Sequence, residues 1–199
     1  KLRDMTGAGM MDCKNALMEA DGDLEKAIEE IRKKGQKLSV KRADREAKEG
    51  AVIALISDDK KKGVVLKLSC ETDFVAKNED FVNLTREFAK IALENFPATT
   101  EELLGLGYNG ITIGDKVTEQ VGVIGEKIEV ASYARLEAPQ ISPYIHAGNR
   151  AAVLVGLNKA GDKFYDAGRD VAMQIAAMRP VAVDKDGVSA EIIEKETEI

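Results

Sequence analysis

Tryptophan is absent from these 199 residues, histidine occurs once and cysteine twice. With His146 as the single histidine, a Ser-His-Asp or Cys-His constellation has one place to form, and no Gly-x-Ser-x-Gly run accompanies it. A lone histidine ordinarily reads as a surface or packing residue. Cys13 and Cys70 show neither CxxC spacing nor a histidine partner, so no disulfide framework or metal site is expected. That pattern fits a reducing compartment, here the cytoplasm. No apolar run approaches the roughly 18–20 residues of a membrane span, and no secretory segment opens the chain. Aromatic residues make up only 5%, so the cores should be aliphatic. Basic residues number 29 against 35 acidic ones, a net charge of −6, which argues against a broad phosphate-binding surface. The expectation is a protein without catalytic machinery, cofactor or metal, and without direct nucleotide, nucleic-acid or membrane partners.

What is present is organised in blocks. Residues 1–35 read as a three-helix module. Leu2 and Met5 start an apolar face before Thr6-Gly7-Ala8-Gly9, and a second helix from Met10 carries Cys13, Leu17 and Ala20. Asp23 is a good N-cap for a third helix with Leu24, Ala27, Ile28 and Ile31 on one stripe, and Gly35 stands where a C′ glycine would end it. Residues 36–50 are polar and mixed in charge, and read as a linker. The period then changes: Ala51–Ser57 and Val64–Cys70 form a hairpin. A helix capped by Asn78 follows, with Phe81, Leu84, Phe88 and Ile91 on one face, stopped at Pro97. Thr99 and Glu102 have capping-box spacing. A further helix runs from about Asp115 to Gly125, and Ile128–Leu136 reads as a strand. Tyr144-Ile145-His146, Arg150–Leu157 and the helix Asp166–Met178 repeat the hairpin-then-helix design. The fold class is therefore α+β, with two related antiparallel α+β subdomains at residues 51–138 and 139–187. Residues 188–199 read as the start of a truncated helical segment. The chain opens on Lys1 rather than Met and closes in charged, helical-looking sequence, so a longer protein is expected at both ends.

Three features invite a functional reading. Thr6-Gly7-Ala8-Gly9 follows a helix rather than a strand and lacks a P-loop lysine, so it reads as a tight turn. Met10 and Met11 point about 100° apart on a helix, so one should be core and the other an exposed, adaptable contact; packing of both within the module is the other possibility. Asp73-Phe74 lies between a strand and the helix capped by Asn78, off that helix's apolar stripe. Phe74 can fold back as a hydrophobic staple, with Asp73 bonded to nearby backbone. That is the reading the residues alone favour; the other is an exposed aromatic anchor on a loop with rigid support. The residues alone leave three readings open: a protein-binding factor, a generic peptide-binding or ubiquitin-like-binding module, and an RNA-associated factor using the basic stretch 37–48.

Leu2-Arg3-Asp4-Met5-Thr6-Gly7-Ala8-Gly9-Met10-Met11-Asp12-Cys13-Lys14-Asn15-Ala16-Leu17 resembles the N-terminal signature of the bacterial elongation factor Ts family. Cys70-Glu71-Thr72-Asp73-Phe74-Val75-Ala76-Lys77-Asn78 resembles its second signature. Val123–Ile128, Tyr144-Ile145-His146 and Val188–Glu196 match weaker family patterns in order, whereas the loop Ala138–Pro143 departs from them. The resemblance implies a ubiquitin-associated-like three-helix module ahead of two α+β subdomains. It also implies a non-enzymatic guanine-nucleotide exchange factor that binds the GTPase elongation factor Tu in its GDP form, displaces Mg²⁺ and promotes GDP release. On that resemblance Asp73, Phe74, Val75 and Ala76 form the segment that disturbs the GTPase's magnesium site. Arg3, Met10, Met11, Lys14, Ile124 and His146 match additional contacts. The family's long form continues past residue 199 into a coiled hairpin and a C-terminal segment, so the resemblance implies a use in dimerisation or a coiled coil for residues 188–199.

Overall fold

The protein is described here by a computed structural model that covers residues 1–197. Three helices come first: α1 (Leu2–Thr6), α2 (Met10–Glu19) and α3 (Leu24–Arg42). Gly7 ends α1 at φ 72°, a left-handed cap suited to glycine. Asp23 caps α3 by accepting the N–H groups of Glu25 and Lys26. Leu2, Cys13, Ala16, Ala20, Ala27 and Ile31 meet in a small core of their own, which such short helices need to persist.

Strands β1 (Glu49–Ile56) and β2 (Lys62–Cys70) form the expected hairpin, in register from Glu49–Cys70 to Ile56–Gly63. A single-turn helix α4 (Asp73–Ala76) leads into α5 (Glu79–Asn95), whose first turn is capped by the Asn78 side chain. Then come α6 (Thr100–Leu104), the small ribbon β3 (Gly107–Tyr108) and β4 (Ile111–Thr112), α7 (Ile113–Ile124) and β5 (Glu129–Glu137). Thr112 and Asp115 form a reciprocal capping box, so α7 begins two residues ahead of the expected start. Thr99 accepts the Glu102 N–H, but Glu102 reaches back to the Ala98 N–H rather than to Thr99. Strand β5 joins β2 to give an antiparallel sheet of order β1-β2-β5. Its face carrying Ile53, Val64, Leu66 and Leu68 packs on Phe81, Leu84, Phe88 and Ala92 of α5, with Leu103, Ile113 and Val121 closing the main core. Full burial of such side chains contributes about 1.5–3 kcal/mol each.

A second antiparallel hairpin, β6 (Gln140–Ile145) with β7 (Ala152–Leu157), carries α8 (Asp162–Met178). Gly168 of α8 sits so close to β6 that a Cβ there would lie 2.5 Å from Ser142 Oγ. Helix α9 (Ala190–Thr197) is the last described element. The fold mixes helices with antiparallel sheet, and none of the described helices is long and apolar enough to cross a membrane.

The expected end of the third helix at Gly35 is not observed. Helix α3 runs on to Arg42, through much of the stretch read as a linker. Gly35 is buried inside the helix, where α3 crosses α7: a Cβ on Gly35 would lie 2.8 Å from the Thr118 carbonyl oxygen, and one on Gly122 would lie 2.8 Å from the Gly35 Cα. The glycine permits close helix contact rather than a left-handed stop. Beyond it, Leu38 packs on the main core and Arg42 finds an ion-pair partner in Glu71, so the polar segment stays helical without an apolar stripe.

Candidate functional site

Strand β2 ends at Cys70, and the chain must turn within a few residues to start α5. Thr72 caps the short α4, accepting the Val75 N–H at 3.5 Å. In a single turn, successive side chains fan out by about 100°. Ala76 faces inward and is buried, Val75 packs at the core margin, and Phe74 projects outward with 84% of its surface exposed. That exposure rules out a staple onto α5. Asp73 does not fold onto neighbouring backbone with its side chain; its carboxylate pairs with Lys77 one turn on. The Lys77 hydrogen bond and charge hold that carboxyl below its usual range, and Arg150 adds to the effect. Arg150 follows the 3-10 turn Ala147–Asn149 after His146, so the His146 loop lies close enough to α4 for its charge to be felt. His146 is exposed, with Nδ1 2.9 Å from the Tyr144 hydroxyl.

Beneath the turn lies a network that the sequence did not announce. The Glu126 carboxylate accepts the backbone N–H groups of Glu71 and Thr72, each at 3.0 Å, and the Thr72 hydroxyl at 2.6 Å. In return, Glu71 accepts the Lys127 N–H at 2.6 Å, and Arg42 and Arg45 donate to it at 2.7 and 3.0 Å. Burial pushes the Glu71 carboxyl up, but the Lys127 N–H and the two guanidinium groups outweigh it and hold it down at about 2. Glu71 belongs to the second signature stretch and Glu126 to the weaker pattern Val123–Ile128, yet their pairing joins residues 55 apart in sequence, which no local pattern reveals.

Ile124 closes α7 before the left-handed Gly125. With Val75, Phe81, Val123, Tyr108 and Gly7 it lines a cleft of about 620 Å³, formed mainly by residues of α5 and α7. Val75 and Ile124 are thus brought to one wall, next to the protruding Phe74.

The remaining expected contacts lie on the N-terminal helices. Met10 and Met11 are 71% and 63% exposed, so neither is core. The small core is filled one turn later by Cys13 and Ala16, and the first turn of α2 stays outside it. Arg3, Met10 and Lys14 line one shallow depression with Leu2, Leu17 and Met18. Met5 and Met18 are also exposed; the seven-residue spacing of Met11 and Met18, two helical turns, was the available signal.

Burial, with Glu126 and Glu49 nearby, pushes the Cys70 thiol up to about 12, which leaves no thiolate near neutral pH. No group of three or more metal-ligating side chains occurs among the described residues. The site offers an exposed aromatic, flanking charges and a rigid base, which are the parts of a binding surface.

A family model described as Elongation factor TS matches residues 71–199. Elongation factor Ts of Christiangramia forsetii is 56% identical over 199 residues, covering all of this chain and 72% of that protein. The protein of the same name from Flavobacterium psychrophilum is 53% identical over the same span and coverage. The one from Bacteroides fragilis is 48% identical over 200 residues, covering all of this chain and 59% of its own length. A match of this extent and identity settles the family, and the chain belongs to the elongation factor Ts family.

Proposed function

We propose that this chain is a guanine-nucleotide exchange factor of translation elongation that binds elongation factor Tu·GDP and drives GDP off by disturbing its Mg²⁺ site. The observation that carries the reading is Phe74, an aromatic left 84% exposed on a tightly held turn of the family's signature segment. A GTPase grips GDP through backbone donors and Mg²⁺. An aromatic pressed between the elements that position the metal ligands weakens that grip. Asp73 supplies polar contacts that keep Phe74 in register, while Val75 and the buried Ala76 fix the turn to its own core. Ile124 and His146 contact the GTPase beside it. The factor acts by binding the nucleotide-free state better than the GDP state.

The three N-terminal helices act as a ubiquitin-associated-like docking module, with Arg3, Met10, Met11 and Lys14 as the contact set. Residues 51–138 and 139–187 act as two related α+β subdomains. An RNA-binding role for residues 37–48 gains nothing from the structure, since Arg42 and Arg45 are engaged by Glu71.

The test is stopped-flow release of a fluorescent GDP from elongation factor Tu. Truncating an anchor of this kind costs about 2 kcal/mol or more, so Phe74→Ala should slow the stimulated release about 30-fold. Its thermal stability should hardly move, because exposed substitutions stay within about 0.5 kcal/mol. An unchanged release rate would overturn the wedge role.

A further inference from the structure

We infer that Glu71 and Glu126 are positioning residues for exchange: their carboxylates fix the Thr72–Ala76 turn in the pose that Phe74 needs, and tie it through Arg42 to the helix that rises from the N-terminal contact surface. The inference rests on the wedge reading above and extends it to residues that need not touch the GTPase.

A four-residue helix has no stability of its own. Its pose is set by what holds its ends. At the joint between β2 and α4, the backbone N–H groups of Glu71 and Thr72 have left the sheet and are not yet in a helix. Glu126 takes both, and takes the Thr72 hydroxyl with its other oxygen. The same hydroxyl oxygen caps α4 at Val75 N–H. One carboxylate therefore sets the start of the turn and, through Thr72, the direction in which Phe74 projects.

Glu71 completes the arrangement from the opposite side. It holds the Lys127 N–H, so each of the two segments carries a carboxylate that binds the other's backbone. It also receives Arg42 at the C-terminal end of α3. The Glu71 and Arg42 side chains are only 16% and 22% exposed, so this charged bond is shielded from solvent competition. Helix α3 is about 28 Å long. It begins among the N-terminal helices and crosses α7 at the Gly35–Gly122 contact. The two helices that meet there deliver Arg42 and the Gly125-Glu126-Lys127 turn to opposite sides of one joint. The N-terminal helices and the Phe74 turn are thus joined through α3 and the Arg42–Glu71 bond.

The experiment measures GDP release from elongation factor Tu at saturating factor, and the factor concentration giving half-maximal rate. The chains compared are the unaltered one, Phe74→Ala, Glu126→Ala, Glu126→Gln and the double variant Phe74→Ala/Glu126→Ala. Glu126→Ala leaves three donors without their acceptor and should lower the saturating rate about tenfold, with the half-maximal concentration nearly unchanged. Glu126→Gln keeps one oxygen for the two backbone N–H groups, and should recover most of the rate. In the Phe74→Ala background, Glu126→Ala should have no further effect, because the two act as one unit. If Glu126→Ala does not fold, as read by circular dichroism, Thr72→Val carries the same test with the same expected pattern. A normal saturating rate in the brace variant while Phe74→Ala is slow overturns the positioning role alone. So does a loss that persists undiminished without Phe74. An unchanged rate in Phe74→Ala overturns the wedge itself.

Discussion

Replacing Gly35 with alanine puts two physical effects in opposition, and their balance depends on whether α3 truly lies against α7 at van der Waals limit. In an open helix, Gly→Ala stabilises by about 0.8–1.0 kcal/mol, through backbone entropy and helix propensity. Here the added Cβ would fall 2.8 Å from the Thr118 carbonyl oxygen and 3.7 Å from the Gly122 Cα. The obstacle is backbone on a packed helix, which cannot rotate away as a side-chain tip would. Forcing the helices apart costs about 1–3 kcal/mol, by the measure of other overpacked interiors. The propensity gain offsets part of that, leaving a net loss of about 0–2 kcal/mol. For a chain of this size the melting temperature should stay level or fall, by up to about 8 °C. Thermal unfolding followed by far-ultraviolet circular dichroism reads the sign directly. A higher melting temperature for Gly35→Ala would refute the close crossing.

Met10→Ser with Met11→Ser should weaken binding to elongation factor Tu, raising the half-maximal factor concentration about tenfold or more, while leaving the melting temperature within a few degrees, since both side chains lie outside the small core. Titration of exchange rate against factor concentration checks the first, and an unshifted curve would remove these residues from the docking surface. Acid should unfold the chain partly through Glu71. Its folded carboxyl stands at about 2 against an ordinary 4.5, so its contribution is complete above pH 4.5 and drains away as pH falls towards 2. Urea midpoints measured across that window should flatten for Glu71→Gln, whereas an identical pH slope in the variant would contradict the assignment.

Features set by residues near in sequence are legible from the amino acids alone. Asn78 and the Phe81, Leu84, Phe88 stripe announce α5, because cap and face both lie within a few turns. The hairpins follow from alternation and their turns. The departures share a different origin. Gly35 reads as a helix end because a C′ glycine and a crossing glycine look alike until the partner helix is known, and that partner, around Thr118 and Gly122, is remote in sequence. Helical geometry alone divides Met10 and Met11 between core and surface, but how many side chains a three-helix core can hold depends on Leu2 and Ile31 arriving from other helices. The arginines of the supposed linker look free because Glu71 is distant in sequence. At Phe74 the residues permit a staple or an anchor. The structure leaves the ring exposed, above a turn whose start is held by Glu126 and capped by Thr72.

That last point bears on why the segment is built as it is. Burying a phenylalanine gains about 1.5–3 kcal/mol, and the edge of the α5 core lies within reach, where Val75 already packs. Hydrophobicity alone would draw Phe74 inward. The turn instead withholds it, with six hydrogen bonds to two carboxylates whose donors come from the turn itself, from α3 and the residues just after it, and from the Lys127 backbone. Charged groups taken out of water are costly when a partner is lost, so removing the shielded Arg42 should cost more than the bond itself, whereas the Arg45 side chain is 57% exposed and its loss should cost little. A sequence selected for folding alone would have no cause to place such a network under an exposed ring. Local rules broken with a dedicated support beneath them are what a working surface calls for, and that is the pattern the proposed exchange role requires: two carboxylates hold the turn on which Phe74 stands exposed.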